Sequence, residues 1–161
     1  MIRLAKECEL PRLMEIFALA KDYMRRTGNP TQWGEEYPSE ELLRDDMRKG
    51  ELYVVEDEGI IHGCFVLAEG EDPTYATIDG AWHGDGSYGT IHRVAADGTG
   101  GIFTAVMDFV KARHDMLRID THEDNATMHH LVQKHGFQRC GIIFLEGYGG
   151  LRVAYDWRKA N

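Results

Sequence analysis

The apolar positions of this chain fall into two periods, and the switches between them lay out its elements. Ile2 to Ala5 is a short apolar-rich run that predicts a strand. Leu13, Ile16, Phe17, Ala20 and Met24 then recur at helical spacing. Pro11 suits the first turn of that helix, where its missing N–H costs nothing, and Gly28 ends the run. Residues 28–38 form a loop by their Gly and Pro content, yet carry Trp33 and Tyr37. Ser39, followed by Leu42, Leu43 and Met47, predicts a second helix with Ser39 as its cap.

Two apolar runs, Leu52 to Val55 and Ile60 to Leu67, flank the turn EDEG and predict a β-hairpin. The stretch EDPTYATIDGAWHGDGSYG is polar and turn-rich, with Trp82 and Tyr88 as anchors. Strands follow over Thr90 to Val94 and Leu117 to Thr121, with a helix on Ile102, Val106, Phe109 and Val110 between them. Met128, Leu131, Val132 and His135 mark another helix, which Gly136 closes. Phe137 to Leu145 and Leu151 to Trp157 finish as two strands joined by EGYGG. The order β-α-α-β-β-β-α-β-α-β-β is a mixed α/β (α+β) arrangement with a largely antiparallel first half, not a doubly wound alternation.

The 161 residues fit one domain, spanning 1–161, able to bury a core without disulfides. No run approaches the ~20 apolar residues of a membrane span, and the N-terminus carries no signal-peptide pattern. Cys8, Cys64 and Cys140 are odd in number and far apart, so they read as reduced thiols of a cytoplasmic protein. The net charge of −9, from 18 basic and 27 acidic residues, argues against a nucleic-acid partner. It leans towards a cationic small partner. Despite eight histidines, no HxxxH or CxxC spacing supplies a compact metal site, so no metal is expected.

The stretch VAADGTGGIFTA, from Val94 to Ala105, carries Gly98, Gly100 and Gly101 just before a helix. It lacks the GxGxxG spacing of a dinucleotide fold. It also lacks the lysine of a P-loop, since the next lysine is Lys111. Two readings remain open: an anion site on free amides at a helix start, or a strand-to-helix turn with no ligand.

The surrounding residues bear on that choice. IHRVAADGTGGIFTAVMDFVKA, then LRIDTHEDNATMHHLVQKHGF with Asn125 opening a helix that ends in Gly136-Phe137, resembles the GNAT N-acetyltransferases. QW and YP in the first loop, EDPTY, IHR, RIDTHEDN and CGII are similar to a bacterial branch of that family. The resemblance implies a GNAT fold: a mostly antiparallel sheet of six to seven strands flanked by about four helices. It implies acetyl-CoA as cofactor, held by Val94, Ala95, Ala96, Gly98, Thr99, Gly100, Gly101, Ile102, Phe103 and Asn125. It also implies an amine acceptor, small molecule or protein, that attacks the thioester directly. The family often forms homodimers, for which the C-terminal strands are candidates. Two residues depart from the family pattern: Asp97 stands where an arginine is usual, in a loop about two residues short, and Val132 stands where a general-acid tyrosine is usual.

Such a reaction needs a base, an oxyanion donor and an acid for the leaving thiolate. The resemblance places the donor at a backbone N–H near Val94. His92 is the first candidate base, because it lies on the strand leading into the loop and a histidine ordinarily titrates near ~6.5; a histidine bonded to a neighbouring strand fits the same position. By alternation it shares a face with Thr90 and Val94. Glu69, at the end of the hairpin's second strand, is the second candidate, or an ordinary exposed carboxylate. Tyr148 and His122 are candidate acids. Asn125 caps its helix and, by resemblance, touches CoA. Trp33 and Tyr37 are candidates for the acceptor site, or pack their loop onto the sheet. The missing acid and Asp97 leave a rival reading, a non-catalytic acyl-CoA-binding or regulatory domain of the same fold.

Overall fold

The computed structural model describes residues 1–34, 36–145 and 150–160. Strand β1 (Ile2–Leu4) leads through a single 3-10 turn into α1 (Leu10–Arg26), with Pro11 in its first turn. The α1 stripe of Leu10, Leu13, Ile16 and Phe17 is buried on the sheet. Helix α2 (Glu40–Arg48) starts where Ser39 Oγ accepts the Leu42 N–H. Strands β2 (Leu52–Asp57) and β3 (Ile60–Glu69) form the expected hairpin. Glu58 and Gly59 both take positive φ, +51° and +80°. That is the two-residue loop whose twist matches the hairpin's own.

After a short 3-10 turn at Pro73–Tyr75 comes β4, only Asp79–Gly80. Then follow β5 (Gly89–Ala96), α3 (Ile102–Lys111), β6 (Met116–Thr121), α4 (Ala126–Lys134), β7 (Gln138–Leu145) and β8 (Gly150–Arg158). The sheet order is β1-β2-β3-β5-β6-β8-β7-β4. The sheet therefore has eight strands rather than the expected six to seven. The extra one, β4, pairs two residues with the β7 edge at Gly141 and Ile142, too few to show any alternation. All pairings are antiparallel except β5 with β6.

One layer of core lies between the sheet and α3 and α4, around Phe65, Ile91, Val106, Leu117, Val132 and Tyr155. A second lies under α1 and α2, around Leu13, Phe17, Leu43, Leu52 and Val54. Val132 is wholly buried there, so the position of the usual tyrosine faces the core. Among the described residues, no helix is long and apolar enough to cross a membrane.

Candidate active site

The site begins where two strands part. β5 and β6 run parallel for only three pairs, from Gly89–Leu117 to Ile91–Ile119. Beyond Ile91, the β5 edge facing β6 has no strand partner among the described residues. β5 also bulges: His92 pairs with Val66 and Ala95 with Cys64, so Arg93 and Val94 both oppose Phe65. Arg93 takes φ +50° at this bulge, a left-handed conformation that side chains adopt at a cost. Alternation predicted that His92 would share a face with Thr90 and Val94. Instead Ile91, His92, Arg93 and Val94 all line one cavity, while Thr90 is buried.

Two cavities flank the parting. The first, about 450 Å³, runs between α1, the end of β5, the glycine loop and α4. Val94, Ala95, Ala96, Gly98, Thr99, Gly101, Ile102, Phe103 and Asn125 line it; Gly100 does not. Ala95 and Ala96 belong to the strand, which runs further than its apolar run indicated. Gly98 and Gly101 have φ of +99° and +82°, which favour glycine. No side chain caps α3, so its first-turn amides face the loop without one.

Asp97 also lines this cavity, but its carboxylate is held by partners of its own. Its carboxylate meets Arg12 Nη2 and His62 Nδ1, each at 2.9 Å, and its other oxygen accepts the Thr99 N–H at 3.0 Å. Burial alone would raise this carboxyl. The hydrogen bonds from Thr99 and His62 outweigh it and pull the pKa down to about 2.

The second cavity, about 220 Å³, lies under the loop after α1. His92, Trp33, Tyr37, Asp72, Asp120 and Arg152 line it. His92 Nε2 lies 3.1 Å from Asp72 Oδ2. A carboxylate only accepts, so Nε2 carries the proton and Nδ1 the lone pair. Burial works to raise Asp72, but the His92 and Thr74 hydrogen bonds hold it at about 2. Deeper in, the Tyr75 hydroxyl donates to Asp120 at 2.6 Å. Burial pushes Asp120 above the ordinary carboxylate value, against the pull of His92, Tyr75 and Arg152. The two cavities share Met24, Val94 and Met128.

A buried network fixes the walls. Arg93 makes a bidentate pair with Asp46 of α2, at 2.9 and 2.8 Å, and donates to the Tyr37 hydroxyl at 2.9 Å. Burial pushes the Asp46 carboxyl up while Arg93 pulls it down. Burial also works against the guanidinium, but Tyr37 and Asp46 outweigh it, so Arg93 stays a cation. Trp33 packs edge-on to Phe17 at 5.5 Å, so it both anchors its loop and lines the cavity. Asn125 does two structural jobs: Oδ1 caps α4 at the Met128 N–H, and Nδ2 donates to Gln32. Gln32 Oε1 also accepts from the Thr121 hydroxyl, and its backbone oxygen accepts from Arg152.

The other expected residues fall elsewhere. Glu69 is exposed, pairs with His114 at 3.0 Å and lines neither cavity. A strand end pointing to solvent explains this placement, and it removes Glu69 from the chemistry we consider. Tyr148 lies outside the described residues. His122 contacts Thr31 and the Asp124 N–H at the mouth of α4. Sequence reasoning missed Asp72 and gave Asp120 no role. Only a Pro73 turn capped by Asp72 and the alternation of RIDT hinted at them.

No protein-family model matches the chain, and no curated protein does. Solved structures do. An acetyltransferase of the GNAT family from Streptococcus agalactiae is 31% identical, over 100% of this chain and 96% of that one, with a TM-score of 0.90. A GNAT-family acetyltransferase from Listeria monocytogenes, 16% identical, covers 98% of this chain and 94% of its own at a TM-score of 0.70. The structure of yncA from Salmonella typhimurium, with its cofactor acetyl-CoA, is 13% identical over 100% and 94% of the two chains at a TM-score of 0.61.

Proposed function

The chain belongs to the GNAT family of acetyltransferases, and on that footing we propose that it moves an acetyl group from acetyl-CoA to the primary amine of a small, cationic acceptor. The observation that carries this reading is the pair of cavities meeting at Met24, Val94 and Met128. One has the glycine loop and an uncapped helix start; the other has a paired histidine and two partly buried carboxylates.

The first cavity suits CoA on three counts. The edge of β5 beyond Ile91 offers unpaired backbone groups for an extended amide chain. The α3 amides offer a place for pyrophosphate. Asp97, the residue that argued against an anion there, spends its charge on Arg12 and His62. Acetyl-CoA, when bound, supplies an activated acetyl thioester.

The protein's own residues then have distinct tasks. Asp120 and Asp72 make the second cavity favourable to an ammonium group. Asp72 holds the His92 Nε2–H and leaves Nδ1 to take the proton that must leave before the amine can attack. The Val94 N–H, where the cavities meet, is the donor for the acetyl oxygen. Trp33 and Tyr37 roof the acceptor. A thiolate leaves without a dedicated acid, which accommodates a valine at position 132.

The loop assignment has a clean probe. Gly100 has an ordinary φ, and a Cβ built on it meets nothing within 4 Å. Gly100→Asp therefore adds charge without strain. CoA affinity measured by calorimetry is expected to fall by roughly fivefold, in line with about 1 kcal/mol for a misplaced charge near a helix start. An unchanged affinity would remove Gly100 from the pyrophosphate site. A chain that binds CoA yet releases no thiol with any amine would leave the non-catalytic reading standing.

A further inference from the structure

A second cluster of reactive side chains lies away from both cavities. His83 comes from the connection between β4 and β5, Cys140 from β7 and Asp156 from β8. Their sulfur, ring nitrogen and carboxylate oxygen lie within 4.8 Å of one another. His83 Nδ1 is 2.8 Å from Asp156 Oδ1 and 3.3 Å from Cys140 Sγ. Cys140 and Asp156 are buried, while His83 is half-exposed.

The pattern excludes one familiar arrangement. A nucleophilic triad uses the two ring nitrogens separately, one for the thiol and one for the carboxylate. Here both partners face the same nitrogen. Three donor atoms converging on one point is what a bound cation requires. We propose that His83, Cys140 and Asp156 form a binding site for a divalent transition-metal ion of the zinc type, with the fourth position open to water.

The charges agree with that. A thiolate and a carboxylate balance a divalent ion, and a neutral imidazole completes three ligands. Among the described residues, no lysine or arginine nitrogen lies within 4.0 Å of Asp156. Arg118, its cross-strand neighbour, is stacked between Trp82 and Tyr88 at 4.0 and 3.9 Å. The second Asp156 oxygen accepts the backbone N–H of His83 at 2.7 Å, which aims the first at the cluster.

The distances agree as well. Zinc bonds of about 2.3 Å to sulfur and 2.0–2.2 Å to nitrogen and oxygen put tetrahedral ligand atoms about 3.3–3.6 Å apart. The sulfur–nitrogen distance of 3.3 Å needs to open by only about 0.3 Å. The nitrogen–oxygen distance opens by about half an ångström with a small turn of the His83 ring. Binding releases the Cys140 thiol proton to solvent and leaves the His83 proton on Nε2. No spacing motif announces the site, because its ligands come from three separate segments.

Cobalt(II) added to the untagged, reduced, chelator-treated chain is the test. One equivalent is expected to give thiolate-to-cobalt charge-transfer absorption, lost when zinc is added. Cys140→Ser should abolish that band, and Cys8→Ser should leave it intact. His83→Ala alters only a half-exposed loop side chain, so it keeps the test valid even if Cys140→Ser misfolds. It should weaken cobalt binding by at least the ~10- to 100-fold that even an outer-shell partner costs. Absence of the band in the wild type, its survival in Cys140→Ser, or unchanged affinity in His83→Ala would each overturn the site.

Discussion

His92→Ala is expected to lower kcat/KM for acetyl transfer by ~10²- to 10⁴-fold, the range for loss of a general base, while CoA affinity stays close to wild type. The split follows from geometry, since His92 lines the second cavity and not the one beside the glycine loop. Asp72→Asn should keep the shape of the pair but remove the charge that orients the ring. Its loss should be smaller and mainly in kcat. Asp72, held at about 2, stays ionised throughout the neutral range, so its own titration leaves no mark there. A His92→Ala enzyme with unchanged kinetics and pH profile would strike His92 from the reaction and direct attention to Asp120. That residue is a second carboxylate lining the cavity, and burial shifts it upward, towards use as a base.

Much of the fold was legible because it is written locally. The helical stripes of α1 and α3, the Ser39 and Asn125 caps and the hairpin turn all follow from residues a few positions apart. The cavity beside the glycine loop was legible for a related reason: strand, glycine loop and helix start are contiguous. The second cavity was not, because the fold assembles it from distant pieces. Asp72 reaches His92 across 20 residues, and Arg93 reaches Asp46 across 47. IHRVAA reads as a regular strand, yet its bulge depends on Phe65 in β3. Glu69 shows the limit of position along a strand: its carboxylate at the strand's end faces solvent. Asp97 lost its adverse meaning only when Arg12 and His62, remote in sequence, were found beside it.

The bulge carries the second large expected effect. Asp46→Ala should destabilise the protein by about 3–5 kcal/mol, the cost of leaving one member of a buried ion pair unpaired. Asp46 is 2% exposed, and both its oxygens bind Arg93. Arg93 also holds a left-handed backbone that costs on the order of 1–3 kcal/mol and persists only while its surroundings enforce it. Urea unfolding is the measurement, read as a lower midpoint at constant slope. The double variant Asp46→Ala with Arg93→Gly supplies the control. Glycine accepts positive φ without strain, and no charge is left buried. The double variant should therefore be more stable than Asp46→Ala alone, a non-additivity expected of residues in contact. A loss under about 1 kcal/mol in Asp46→Ala would mean that the pair is solvated and does not shape β5. If the loss is large, catalysis should fall with it. The Arg93 side chain ties Tyr37 and α2 to the strand whose Val94 amide lies where the two cavities meet. Releasing that tie loosens the acceptor roof and the oxyanion donor together.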